Sequence, residues 1–247
     1  MFQLNIDKYK AFIIVGGDGS VNETAKYLHN KTDKILGVFP AGSGNGFARE
    51  LGFKKSIHSL IQDINKGETL DIDVLSVNGI NCINAAGLGF DSFVAHDFQK
   101  RNSRGLKTYV ISVIKSLFVF KAFRATLLID KEKIEGQFQM ITIANTRQFG
   151  NNTIIAPLAK PNDGIFDLVL VKPFPFYIYP VFVIRLFSGL LKESKYVRYI
   201  KVETSVEIES NFKKFHIDGE PKTFTNKLSV KMLKEKVRIL KTEHFRY

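Results

Sequence analysis

A chain of 247 residues with 45% apolar residues can bury a core in one large or two modest domains. Its 24% of charged residues is an ordinary globular share, which excludes wholesale disorder. A single cysteine, Cys82, excludes an intramolecular disulfide and fits a reducing cytoplasm, and the net charge of +12 points to polyanionic partners: nucleic acid, nucleotides or an anionic membrane surface.

The first ten residues are polar and mixed, without the charged-then-apolar pattern of a secretory signal. Residues 11–15 (AFIIV) form a short continuous apolar run ended by glycines, expected as a fully buried strand. The loop GGDGS follows, then residues 21–29 at helical spacing. A second buried strand is expected over 35–39, a glycine-rich loop over 40–46, a helix starting over 47–51, and a helix over 56–66 stopped by Gly67. Strand, loop and helix in repeated alternation are the pattern of a parallel α/β sheet.

The pattern changes near Leu70. Residues 71–77 alternate, Asn78-Gly79 is a hairpin turn, and 80–86 form the returning strand. A helix is expected over 106–120. Strands expected at 125–129, 136–144, 166–171, 197–209, 213–217 and 228–233 suggest an antiparallel sandwich or barrel. The reading is therefore a partial parallel α/β domain over 1–70, then an antiparallel β-sandwich over 71–247, with the C-terminal tail packing back on the first domain. Residues 173–191 approach the ~20 that a helix needs to cross the hydrocarbon. Pro175 and Pro180 break the first half and Arg185 sits in the second, which favours a buried or interfacial helix over a transmembrane one. The aromatic content of this stretch and the positive charge suggest reversible docking on anionic bilayers.

Both glycine loops sit where a strand gives way to a helix, the position at which α/β proteins bind ligands. Glycines let backbone amides approach phosphate oxygens, and the helix start adds a positive dipole end. Asp18 would repel a phosphate directly and makes sense with Mg²⁺ or water between them; a plain turn with a helix cap is the simpler alternative. Two such loops on consecutive strands could cradle a polyphosphate. Neither has the spacing of a P-loop or of a dinucleotide fingerprint. Asp218-Gly219-Glu220 is turn chemistry that also presents a carboxylate, and the five histidines lack metal-ligand spacing.

These motifs carry a resemblance. GGDGSVNE at 16–23 and PAGSGNGFAR at 40–49, continued by NAAGLGFD at 84–91, APLAKPNDG at 156–164 and DGE at 218–220, resemble the diacylglycerol kinase catalytic-domain family, which includes bacterial lipid kinases and sphingosine and ceramide kinases. The likeness covers nearly the whole chain in order. The first motif alone is shared with NAD kinases; the second loop and the late DGE favour the lipid-kinase branch.

The resemblance implies an α/β nucleotide domain, a β-sandwich domain and an active site between them. It implies nucleotide-binding roles for Gly16, Gly17, Asp18, Gly19, Ser20, Val21, Asn22 and Glu23, with Gly42, Ser43 and Asn45. Serine stands at 20 and 43 where the family usually has threonine, and the hydroxyl is kept. It implies that Glu220 is the proton acceptor, with Asp18 beside the Mg²⁺–triphosphate. It also implies a structural Mg²⁺ at the loop 160–165, held by the Asp163 carboxylate and the backbone carbonyls of Lys160 and Ile165. The cofactors implied are ATP and Mg²⁺; the partners are a lipid alcohol and an anionic membrane at its inner face, not nucleic acid. Family members begin with a further strand, glycine turn and helix that residues 1–10 do not supply, so a truncated chain is expected. Its exposed strand edge would make a second copy a candidate partner. The expected activity is ATP-dependent phosphorylation of a lipid hydroxyl, with diacylglycerol as substrate. The alternatives are a kinase for a soluble hydroxyl such as that of NAD, and a nucleotide- or lipid-binding protein without activity.

Overall fold

The structure is a computed structural model and describes residues 6–42, 44–99, 116, 119–130, 132–149 and 153–245. In chain order its elements are β1 (Ala11–Gly16), α1 (Asp18–Leu28), β2 (Ile35–Pro40), α2 (Gly46–Glu50), α3 (Ile57–Lys66), β3 (Thr69–Ile72), β4 (Leu75–Val77), β5 (Ile80–Cys82), β6 (Ala85–Gly89) and α4 (Phe90–Gln99). There follow β7 (Phe123–Ile129), β8 (Glu132–Phe138), β9 (Met140–Ala144), β10 (Phe166–Val171), α5 (Tyr179–Ser188), β11 (Val197–Val202), β12 (Ser205–Ser210), β13 (Lys214–Ile217), β14 (Glu220–Thr223), β15 (Lys227–Met232) and β16 (Val237–Leu240).

The first sheet has the order β1-β2-β16-β3. β1, β2 and β16 run parallel, and β3 is antiparallel to β16. It is thus mixed rather than purely parallel, and its third strand comes from the far end of the chain. Helices α1, α2 and α3 supply Val21, Ala25, Leu28, Phe47 and Leu60 to its core. Ser56 caps α3 by accepting from the Ser59 amide (3.3 Å), and Gly67 ends it in the left-handed conformation, as the sequence requires. One expectation fails. β1 is not fully buried: its residues alternate between exposed and half-buried, with Val15 69% exposed. Among the described residues β1 is paired on one side only, so its continuous apolar run does not report two covered faces.

Two six-stranded antiparallel sheets follow, β11-β10-β9-β6-β13-β14 and β5-β4-β15-β12-β7-β8. They enclose a core that includes Leu88, Leu127, Ile141, Phe166, Leu168, Ile208, Phe215 and Leu228. Expected strands split where the chain changes sheet. The run 71–77 divides at buried Asp73, so that β3 joins the first sheet and β4 the sandwich. The run 80–86 divides at residues 83–84 between opposite sheets, 136–144 divides at Gln139, and 197–209 divides at residues 203–204, with β11 in one sandwich sheet and β12 in the other. β14 and α4 have no counterpart in the sequence reading, and β16 lies in the C-terminal tail where no strand was expected. Of the expected helix 106–120, only residues 116, 119 and 120 lie among those described. Residues 173–191 give a ten-residue α5 with none of its residues buried, which corrects the buried alternative. Among the described residues no helix is long and apolar enough to cross a membrane.

Candidate active site

β1 and β2 lie in parallel register, Gly16 opposite Pro40, so both glycine loops leave the same edge of the sheet. They pack backbone on backbone. A Cβ on Gly42 would stand 2.5 Å from the Gly17 Cα, and one on Gly17 would stand 3.1 Å from the Gly42 Cα. The glycines at 17 and 42 are therefore needed for this contact, before any question of phosphate. Asn45, in the left-handed conformation (φ 50°), closes the second loop on itself: its Oδ1 accepts from the Gly42 amide (2.8 Å) and its Nδ2 donates to the Gly42 carbonyl (2.6 Å). Ser43 lies outside the described residues.

Asp18 joins the loops. Its two carboxylate oxygens accept from the Gly46 and Phe47 amides, each at 3.0 Å, so that it caps α2 from the first turn of α1. Charge-assisted bonds to a helix start are favourable. Each oxygen can accept a second bond. The start of α1 carries no side-chain cap. Gly19 and Ser20 are exposed there, and a Cβ on Gly19 would meet nothing within 4 Å, so open space fronts the first amides of the helix. Glu23 is exposed. Val21 and Asn22 instead face the interior, at 1% and 2% exposure.

Asp218-Gly219 is the two-residue turn between β13 and β14, with φ of 49° and 85° as a type I′ turn requires. The two carboxylates of the DGE run differ sharply. Asp218 is buried and accepts from the amides of Ile83 (3.1 Å), Asn84 (2.9 Å) and Ala85 (3.0 Å) and from the Cys82 thiol (3.2 Å). Burial raises its pKa, and these donors pull the other way. Burial and the Asp218 charge push the Cys82 thiol well up, consistent with its role as donor. Glu220 is 43% exposed and has Lys222 Nζ at 3.5 Å, which leaves its carboxylate accessible.

The loop at 160–165 is fastened to buried Asp73. The Asp73 amide donates to the Pro161 carbonyl (2.7 Å), and its carboxylate accepts from the Gly164 amide (2.7 Å) and pairs with Lys236 (2.7 Å). Lys160 and Asp163 are exposed and Ile165 is half-buried; Asp163 accepts from the Ile165 amide (3.1 Å). Among the described residues no group of three or more His, Cys, Asp and Glu side chains stands close enough to hold a metal ion. A single carboxylate beside backbone carbonyls suits a hard cation that keeps much of its water.

Sequence reasoning missed the segment that connects these parts. Residues 145–148 (NTRQ) follow β9, and Asn145 and Thr146 are fully buried. Asn145 Nδ2 donates to the carbonyls of Asp73 (2.9 Å) and Ile83 (2.8 Å), and Thr146 Oγ1 bonds Asn84 Oδ1. Arg147 and Gln148 donate to buried Glu50 of α2, both at 2.7 Å. A hydrogen-bonded path thus runs from Asp18 through α2 and Glu50 to residues 145–148. From there it reaches the Asp73 loop on one side, and Asn84 with the Asp218 turn on the other. Four consecutive polar residues straight after an apolar strand were the available signal.

A narrow apolar cavity of about 50 Å³ opens on the outer face of the β9–β10 sheet. Phe90, Met140, Phe149, Phe174, Phe182 and Leu186 line it. Its charged wall is Asp91, whose Oδ2 lies 3.3 Å from His216 Nε2 and accepts from Thr142 Oγ1 (3.3 Å). Both Asp91 and His216 are buried. Thr153 Oγ1, also at the cavity, is buried without a hydrogen-bond partner among the described residues.

Residues 1–77 match the diacylglycerol kinase catalytic domain, and residues 84–240 match the YegS C-terminal NAD kinase β-sandwich-like domain. The chain belongs to the diacylglycerol kinase and YegS-like lipid kinase family. It is 27% identical to a Shewanella frigidimarina protein named "probable lipid kinase YegS-like" over 87% of this chain and 71% of that one. To the diacylglycerol kinase of Bacillus subtilis it is 28% identical over 67% of this chain and 56% of that one. The crystal structure of a Bacillus anthracis diacylglycerol kinase superposes with a TM-score of 0.75 at 19% identity, covering 99% of this chain and 81% of that one. An Archaeoglobus fulgidus NAD kinase in complex with ATP gives 0.57 at 13% identity, over 97% and 80%. At those identities the two structures speak for the fold: a mixed α/β sheet domain followed by an antiparallel β-sandwich.

Proposed function

We propose that this lipid kinase family member transfers the γ-phosphoryl group of ATP to a lipid hydroxyl, with diacylglycerol as the substrate class. The observation that carries the choice of acceptor is the cavity, walled by phenylalanines and aliphatic side chains with a few polar groups around Asp91. A nucleotide acceptor such as NAD would leave its ribose and phosphate groups unpaired against such walls.

In this reading residues 1–70 bind nucleotide and 71–247 hold the lipid. The open amides at the start of α1, with Gly19 and Ser20, receive phosphate oxygens. The uncapped helix and the space in front of Gly19 fit that load. Gly16, Gly17, Gly42 and Asn45 shape the two loops, Val21 and Asn22 support them from the interior, and Ser43 brings a hydroxyl to the second loop's sequence. Bound Mg²⁺ would neutralise triphosphate charge, with the remaining acceptor sites of Asp18 facing it; Asp163, with the carbonyls of Lys160 and Ile165, would hold a second, structural ion. Phosphoryl transfer asks chiefly for positioning and charge stabilisation. Asp91 and its neighbours offer hydrogen bonds to the polar end of the lipid. Glu220 accepts the hydroxyl proton as the new oxygen–phosphorus bond forms and ADP leaves. Asp218, engaged by four donors, does not compete for that role; it fixes the turn that presents Glu220.

The test is ADP release by the purified chain with ATP and dispersed diacylglycerol, NAD or no acceptor. Release that depends on the diacylglycerol is the expected result, and release that depends only on NAD would overturn the reading.

A further inference from the structure

Helix α5 is apolar on two opposite faces. Tyr179, Phe182, Val183 and Leu186, spaced three and four apart, line the cavity. Val181 and Ile184 point away from it, at 47% and 67% exposure. Tyr177 just before the helix and Leu190 just after it are 76% and 60% exposed. A helix that packs one face on a water-soluble protein carries polar residues on the other, and one that is apolar all round belongs in an apolar medium. No residue of α5 is buried. Contiguous exposed apolar surface of this kind marks an interaction site.

The surroundings identify the medium. Lys172, Arg185, Lys192 and Lys195, within α5 or close to it in the chain, are exposed, and Glu193 is the one acidic residue between 172 and 201. Basic residues flanking an exposed apolar helix match an anionic bilayer, whose surface potential attracts each nearby cation. A protein groove would satisfy the apolar face without needing the cations. Since α5 has only ten residues, it lies in the interface rather than across the membrane.

We propose that the outer face of α5, centred on Val181 and Ile184, is an interfacial anchor that inserts at the boundary between headgroups and acyl chains of an anionic bilayer. Because the inner face of the same helix is a wall of the cavity, the anchor seats the cavity against the lipid it draws from. This second clause rests on the lipid kinase reading; the docking itself does not.

The chain contains no tryptophan, so Ile184→Trp supplies a single reporter on the anchor. The probe is vesicles of phosphatidylglycerol and phosphatidylcholine in equal parts, with phosphatidylcholine alone as comparison. The emission of the Ile184→Trp protein moves to shorter wavelength with the anionic vesicles and is quenched by brominated acyl chains. In an otherwise unchanged chain, Ile184→Ser, and separately Val181→Ser, lowers the vesicle partition coefficient about tenfold. Neither changes the melting temperature or the rate on a short-chain diacylglycerol dissolved as monomer. The proposal is overturned if the protein sediments with vesicles while the reporter stays solvent-like, because another surface then docks. It is overturned equally if the chain does not bind the vesicles, or if the shift follows protein concentration without them, because a second copy then covers the face. Failure of the kinase reading looks different: neither form of diacylglycerol is phosphorylated, while the reporter still enters the bilayer.

Discussion

Replacing glycine by alanine separates the loop glycines that hold the fold from those that would meet a ligand. At Gly42 the new methyl would lie 2.5 Å from the Gly17 Cα and 2.8 Å from Asn45 Oδ1. The nearest atom is backbone, so no side-chain rotation relieves it, and reaching an ordinary carbon contact requires the loops to part by roughly 1 Å. Overpacking on that scale costs about 1–3 kcal/mol. Parting the loops also pulls the Asp18 carboxylate away from the Gly46 and Phe47 amides that it bonds at 3.0 Å. For a chain of this length the thermal midpoint should fall by roughly 2–12 °C. At Gly19 the methyl meets nothing within 4 Å, and alanine in place of a helical glycine stabilises by roughly 0.5–1 kcal/mol. Gly19→Ala should therefore melt at or above the parent, yet bind Mg-ATP more weakly, because its methyl occupies the space assigned to phosphate. Thermal melts and calorimetric Mg-ATP titrations of both variants decide the matter. A Gly42→Ala protein that melts with the parent refutes the loop-to-loop argument, and a Gly19→Ala protein with parental ATP affinity refutes the placement of phosphate at α1.

Glu220→Gln should lower kcat by roughly 10²–10⁴ with nucleotide affinity unchanged, as steady-state rates and titrations will report. Asp218→Asn puts an amide donor among three amide donors and a thiol, and should cost about 1–3 kcal/mol in urea unfolding while leaving the sequence of Glu220 intact. Burial raises Asp167 to about 6, with Lys201 opposing and Asp163 adding to the shift. The folded state then holds its proton where the unfolded state, near 3.8, has lost it, so this group favours folding less as pH rises from about 4 to about 6. The loss amounts to no more than roughly 3 kcal/mol. Unfolding midpoints at pH 4 and pH 7 should show this component in the parent and lack it in Asp167→Asn.

Local chemistry made much of the fold legible. Ser56 and Gly67 bound α3, Asn78-Gly79 forms the predicted hairpin, and both glycine loops fall between strand and helix. What was not legible depends on contacts distant in sequence. The run 71–77 reads as one alternating strand, and only the buried pairing of Asp73 with Lys236 and with the Gly164 amide explains why it changes sheets. β16 joins the first sheet from the opposite end of the chain, a pairing that periodicity cannot reveal. The site shows the same limit. Asp18 was expected at a cation and is found first capping α2. Within DGE, the turn was visible but the division of labour was not, because the donors to Asp218 lie more than a hundred residues away.

The central claim is tested most directly by following the phosphoryl group itself. Incubated with ATP labelled at the γ-phosphate and diacylglycerol in anionic vesicles, the chain should move label into organic-extractable phosphatidic acid, and Glu220→Gln should reduce that transfer by at least roughly a hundredfold. Label that stays in ATP with the parent chain, or appears in NAD and not in lipid when both are offered, would contradict the account.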